Sequence, residues 1–156
     1  AGSGDSGAGR AAVEADDGDA GPAFVLSGLT LEHRRLQEIR HYSGLTRQPV
    51  FVPSVGHFPQ GMIVSIPLHL ADLPGHPTPR DLEATLEKAY RGCDHVRVLP
   101  SEPKLLADAL ANTDNMELRV HGNAQGEKVV LTARLDNLGK GASGAAIQNL
   151  LLMLGL

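Results

Sequence analysis

The chain has 156 residues, 42% of them hydrophobic, with 14 Lys and Arg against 18 Asp and Glu. That length suits one domain with a real core, and a net charge of −4 speaks against an electrostatic nucleic-acid binder. The C-terminal apolar run falls short of the ~20 residues that span a bilayer, so no membrane role is expected.

There is no Trp, and only two Tyr and three Phe, so the core must be built from Leu, Val, Ile and Ala. The single cysteine, Cys93, excludes an internal disulfide and fits a reducing compartment. The N-terminus shows neither a basic n-region nor an apolar h-region, so no signal peptide is expected. No metal site is expected either.

Residues 1–22 are rich in Gly, Ala and Asp and read as a flexible segment. Within them Ser6-Gly7-Ala8-Gly9-Arg10 combines flexible backbone donors with a guanidinium, which suits a phosphate or carboxylate. Residues 24–29 predict a short strand. Residues 31–42 predict a helix with Leu31, Leu36, Ile39 and Tyr42 inward and His33, Arg34, Arg35, Glu38 and Arg40 elsewhere, stopped by Gly44. Three arginines and a histidine within residues 33–40 make an anion-binding face conceivable; a solvated helix face is the plainer reading.

Residues 49–52 predict another strand and 53–61 a loop. In 62–70, Met62, Val64, Ile66, Leu68 and Leu70 alternate with Ile63, Ser65, Pro67 and His69, the period of a strand. Pro67 cannot donate to a ladder and so marks an edge or a bulge. Thr78-Pro79-Arg80-Asp81 is a helix start, with a capping Thr, Pro at the first position and an acid at the third. Leu82, Leu86, Ala89 and Tyr90 carry its apolar stripe. Residues 95–99 alternate again, and Ser101-Glu102-Pro103 predicts a short helix carrying Leu105, Leu106, Ala109 and Leu110.

The next two strands read as a hairpin, with Met116, Leu118 and Val120 in one and Val129, Leu131, Ala133 and Leu135 in the other. The element order predicts an α+β fold: a mixed, mainly antiparallel sheet with helices on one face. After the hairpin comes Leu135-Asp136-Asn137-Leu138-Gly139-Lys140-Gly141-Ala142-Ser143-Gly144, a turn between a strand and a helix that can bring backbone N–H groups to a ligand. Its Gly139-x-Gly141-x-x-Gly144 spacing matches a dinucleotide fingerprint, but no second parallel strand follows. The final helix, 141–154, has almost no polar face and predicts burial on all sides, either against a second copy or against another domain.

Residues 53–70 (Pro53-Ser54-Val55-Gly56-His57-Phe58-Pro59-Gln60-Gly61 through Leu70) and 135–149 carry a family resemblance. The chain resembles, nearly end to end, the C-terminal part of the N-acetyl-γ-glutamyl-phosphate reductases of the shorter sequence type, relatives of aspartate-semialdehyde dehydrogenase. The resemblance implies NADP(H)-dependent reduction of an acyl-phosphate substrate through a cysteine thioester, in the cytoplasm and in arginine biosynthesis. It implies three regions: 1–22, a substrate and dimerisation domain over 23–140, and a 141–156 helix that packs on an N-terminal NADP-binding domain of the same protein. A homo-oligomer is also implied.

The family's histidine motif reads His-basic-His-x-Pro-Glu. Here it is His33-Arg34-Arg35-Leu36-Gln37-Glu38, so Arg35 and Gln37 depart from it. An arginine does not shuttle protons near neutral pH. The resemblance gives His33 and Glu38 as catalytic residues and Ser6, Gly7, Arg10, Arg34 and Arg35 as substrate-binding residues. It gives Asn137, Gly139, Lys140 and Gly141 as cofactor-binding, with Asn137 meeting the nicotinamide carboxamide. Cys93 matches no family nucleophile and reads as structural. Two rival readings are an aminoadipyl-phosphate reductase of lysine biosynthesis and a non-catalytic dimerisation module with a degenerate site.

Overall fold

The computed structural model describes residues 2–8 and 23–156. Seven strands are described: β1 (Gly2–Ser3), β2 (Phe24–Leu26), β3 (Ser54–Gly56), β4 (Met62–His69), β5 (Val96–Val98), β6 (Met116–Gly122) and β7 (Lys128–Leu135). Three helices join them: α1 (Leu36–Ser43), α2 (Pro79–Ala89) and α3 (Gly144–Leu154). The strands form one sheet in the order β2-β3-β1-β4-β7-β6-β5. Only β1–β3 and β5–β6 pair in parallel; the other neighbours are antiparallel. The mixed, mainly antiparallel α+β layer is the one expected.

The long strands follow their alternation. β4 pairs with β7 from Met62↔Leu135 to His69↔Lys128, and β6 pairs with β7 from Met116↔Leu135 to Gly122↔Val129. This register sets Leu68, Val129 and the Val120–Leu131 pair on one face. There Leu70, Val120 and Val129 are buried, and Leu73, Leu82, Leu86 and Leu131 pack around them. Leu82 and Leu86 come from α2, whose start is fixed by the expected capping box: Asp81 N–H donates to Thr78 Oγ1, and Thr78 N–H donates to the Asp81 carboxylate. On its other side β4 is flanked by β1 only at Met62 and Ile63. From Val64 onward no described strand lies there, so Pro67 occupies an edge where its missing donor costs nothing.

Several local expectations fail. The helix predicted over 31–42 begins at Leu36, because Leu31 sits at φ 60° and residues 34 and 35 form a turn. Leu36 is buried as expected, but Tyr42 is exposed. Residues 49–52 form no strand; the strand is Ser54–Gly56, inside the predicted loop, where it finds β1 and β2 as partners. Residues 101–110 form turns instead of a helix. Their polar groups are drawn onto the sheet: Glu102 pairs with Arg119, the Pro100 carbonyl accepts from Arg119 Nε, and the Leu106 carbonyl accepts from Arg134.

The Gly-rich start also has structure. Gly2 and Ser3 form an inner strand paired on both sides, followed by a 3₁₀ turn at Asp5–Ala8. At the other end, α3 is not covered among the described residues: Ile147, Leu150, Leu152, Met153 and Leu154 are all exposed. Its capping residue, Gly155, is left-handed at φ 71°.

Candidate functional site

Strands β1 and β3 run parallel and end together. Beyond them the Asp5–Ala8 turn meets the 57–61 loop. Gly4 N–H donates to the Gly61 carbonyl at 3.0 Å, Asp5 N–H to the Phe58 carbonyl at 2.8 Å, and Ser6 N–H to the Pro59 carbonyl at 3.3 Å. The turn after β7 closes onto the same place. Asn137 Nδ2 donates to Ser6 Oγ at 2.8 Å, and Gly61 N–H donates to Asn137 Oδ1 at 2.8 Å. The structure thus brings together Ser6, Gly7 and Asn137 from the predicted set.

Asp136, next to Asn137, is 1% exposed. Its carboxylate accepts from Gln60 Nε2 at 2.8 Å, Asn112 N–H at 2.6 Å and Leu138 N–H at 2.8 Å. A buried carboxylate needs such donors, and three of them fix its geometry. The sequence reading passed over Asp136; an acid directly ahead of a Gly-rich turn was the available signal.

The predicted cofactor residues are engaged inside the chain. A Cβ on Gly139 would lie 2.4 Å from the Thr113 carbonyl oxygen, and one on Gly144 would strike the Asp114 carboxylate. These glycines admit close protein neighbours. Lys140 Nζ donates to Gln148 Oε1, whose amide donates in turn to the Asp114 carbonyl at 3.0 Å. Gly141 N–H donates to the Asp136 carbonyl. Asn137 is held at both ends of its amide, by Gly61 N–H at the oxygen and by Ser6 Oγ at the NH₂.

His33 lies elsewhere. Its ring stacks edge-on to Phe51 with centroids 5.1 Å apart, close to Gly28 and Pro53 at the start of β3. Ser6 and His57 are at the far end of that strand, so about 10 Å of strand separates the two sets. Arg35 N–H donates to His33 Nδ1 at 3.2 Å. In the neutral ring this places the proton on Nε2. Arg34, Arg35 and Glu38 are exposed and form no side-chain bond among the described residues. Arg10 lies outside the described residues.

A histidine that sequence reasoning missed stands beside the Ser6 turn: His57 Nδ1 is 3.5 Å from Asp5 Oδ2, with both side chains about half exposed. On the sheet's polar face, His121 lies between Ser101 Oγ, 2.8 Å from Nδ1, and Thr132 Oγ1, 3.0 Å from Nε2. Burial pushes its pKa down, Arg119 adds to this, and Glu102 opposes it. A cavity of about 550 Å³ includes His121, His69 and Lys128 in its lining but none of the predicted site residues. Among the described residues no group of three or more His, Cys, Asp or Glu could hold a metal ion. No helix there is long and apolar enough to cross a membrane.

The class is a dehydrogenase-type dimerisation domain, here a mixed sheet in which Asn137 ties the turn after β7 to the turn that follows β1. The semialdehyde dehydrogenase dimerisation-domain family matches residues 1–137, and the chain belongs to that family. It is 45% identical to N-acetyl-gamma-glutamyl-phosphate reductase 2 of Pseudomonas putida, over 98% of this chain and 51% of that protein. It is 49% identical to the N-acetyl-gamma-glutamyl-phosphate reductases of Brucella ovis and Brucella melitensis biotype 2, over 83% of this chain and 44% of each. The chain spans about half the length of the curated relatives it matches.

Proposed function

We propose that this chain is the substrate and dimerisation half of an NADPH-dependent reductase. The reductase converts N-acetyl-γ-glutamyl phosphate to N-acetylglutamate 5-semialdehyde and phosphate, in the cytoplasm and as a homo-oligomer. The observation that carries this reading is identity of 45–49% to reductases of that name along most of the chain. The cofactor supplies the hydride; its binding surface belongs to the other half of the protein, because the turn after β7 is occupied by protein contacts. α3, apolar and uncovered here, is the element that docks on that half.

The chain's own residues bind and orient. Ser6 and Gly7 present a hydroxyl and backbone beside the Asp5–Ala8 turn, suited to one end of an elongated anionic substrate. Arg34 and Arg35, exposed near His33, suit the other anionic group. His33 offers Nε2–H to a substrate oxygen, with Glu38 nearby in sequence to orient substrate. The ~10 Å between the two sets matches a substrate with a charged group at each end.

A second reading, a non-catalytic dimerisation module, is favoured by Arg35 and Gln37 and by the engagement of Asn137. Complementation of an arginine auxotroph by the full-length gene separates the two. Growth with the wild type supports the reductase; growth only with Arg35→His supports a degenerate site. Growth on a lysine-requiring strain instead would reassign the substrate to an aminoadipyl phosphate.

A further inference from the structure

We infer that Asn137 is a positioning residue for the Ser6 turn, which it ties to the 57–61 loop. The inference rests on the reading above in taking Ser6 and Gly7 as part of the substrate site. A side-chain amide carries two N–H donors and an oxygen with two lone pairs, so it can join separate segments. In Asn137 these two groups already serve two other segments. The oxygen accepts from Gly61 N–H and the NH₂ donates to Ser6 Oγ, both at 2.8 Å. Rotating the amide toward a ligand would break both bonds at once.

The surroundings oppose such a rotation. Asp136 is buried and held by donors from three segments, so the backbone leading into Asn137 is fixed. Behind it Gly139 is packed against the Thr113 carbonyl, which leaves the turn no room to withdraw. The partners, by contrast, need Asn137. The Asp5–Ala8 turn is short, and main-chain bonds to Phe58 and Pro59, with the half-exposed Asp5–His57 pair at 3.5 Å, tie it to the 57–61 loop. The Asn137 amide adds a less exposed side-chain link to both, its bond to Ser6 joining residues 131 apart in sequence. It orients the Ser6 hydroxyl by giving it a fixed donor, so that its own proton points toward the substrate side.

The test uses the full-length protein and four variants: Ser6→Ala, Asn137→Ala, the double variant, and Asn137→Asp. An aspartate keeps an acceptor for Gly61 N–H, and the Ser6 hydroxyl can turn round to donate to its second oxygen. Steady-state kinetics are read against NADPH and against the acyl phosphate separately. Asn137→Ala is expected to raise KM for the acyl phosphate roughly tenfold with KM for NADPH unchanged. Ser6→Ala should match it, the double variant should be no worse than either, and Asn137→Asp, which draws the Ser6 proton away from the substrate, should not restore the loss. An unchanged KM for the acyl phosphate in Asn137→Ala, its full restoration in Asn137→Asp, or multiplying effects of Ser6→Ala and Asn137→Ala, would overturn the inference. Denaturant unfolding of the same proteins gives a second cycle that needs no activity. If the wild type does not reduce the acyl phosphate, the reductase reading falls, while non-additive unfolding still upholds the clamp and additive unfolding overturns it.

Discussion

Glu117→Ala is the sharpest perturbation of the fold. The Glu117 carboxylate accepts from Arg119 Nη1 at 2.8 Å and from Arg134 Nε at 3.0 Å, with a further short bond from Arg134 Nη2. The Arg119 side chain is 2% exposed, that of Arg134 10% and that of Glu117 17%, so all three are largely out of water. Removing the carboxylate leaves Arg134 with only a weak bond to the Leu106 carbonyl at 3.5 Å. Arg119 keeps Glu102 at 2.6 Å and the Pro100 carbonyl at 3.1 Å. Breaking a buried pair from one side costs about 3–5 kcal/mol, and the contacts retained by Arg119 put this case near 3 kcal/mol. Burial pushes the Glu117 pKa up, but the hydrogen bonds from Arg119 and Arg134 outweigh it and hold the carboxyl below its usual range. A depressed carboxylate pKa contributes stability that is full above the ordinary value and lost as pH falls through the folded value. Urea unfolding at neutral pH should therefore show the full deficit, and the gap between wild type and Glu117→Gln should narrow only below about pH 4. A Glu117→Ala protein within about 0.5 kcal/mol of wild type at pH 7 would refute the argument.

Other outcomes follow from particular contacts. Gly139→Ala pushes a methyl onto the Thr113 carbonyl, a backbone atom that cannot swing aside, and should cost about 2 kcal/mol in unfolding; a neutral result would mean that the turn is not packed as described. His121 has its pKa lowered by burial first and by Arg119 second, so its contribution is full above the ordinary histidine pKa and lost as pH falls through the lower folded value. Between pH 7 and 5 the wild type should lose more stability than His121→Gln, and equal losses would count against this. The exposed apolar face of α3 should make the isolated chain self-associate, and Leu150→Glu with Met153→Glu should return it to a monomer in sedimentation. A wild-type chain that sediments as a monomer at the same concentration contradicts the claim.

What could be read from the sequence was what the chain encodes locally. The period-two alternation of Met116, Leu118 and Val120, and of Val129, Leu131 and Ala133, gave the hairpin its faces. Thr78, Pro79 and Asp81 form a self-contained cap and needed no distant partner. What could not be read was made by distant partners. Gly2 and Ser3 have no strand signal, yet they become an inner strand because β3 and β4 offer free backbone groups on both sides. The apolar Val50-Phe51-Val52 run carries more β propensity than Ser54-Val55-Gly56, but pairing chose the latter. The predicted helix after Glu102 lost its polar groups to Arg119 and Arg134, whose demand for acceptors is set by their own burial.

The site divides along the same line. That Ser6 and Asn137 belong to one place was implied only by the family resemblance, since no local pattern links residues so far apart. The resemblance did not supply the direction of the Asn137 amide, the burial of Asp136, or the strand-length separation of His33 from Ser6. Each depends on which neighbours reach a group first, and that is settled by tertiary packing.

The direct measurement is phosphate-dependent reduction of NADP⁺ by the purified full-length protein, with N-acetylglutamate 5-semialdehyde as the second substrate. The reaction is run in reverse because the acyl phosphate hydrolyses readily. Turnover that requires phosphate, and falls at least about 100-fold in His33→Asn, is the predicted result. No turnover, or turnover indifferent to His33, would contradict the reading of this domain as the substrate half of the reductase.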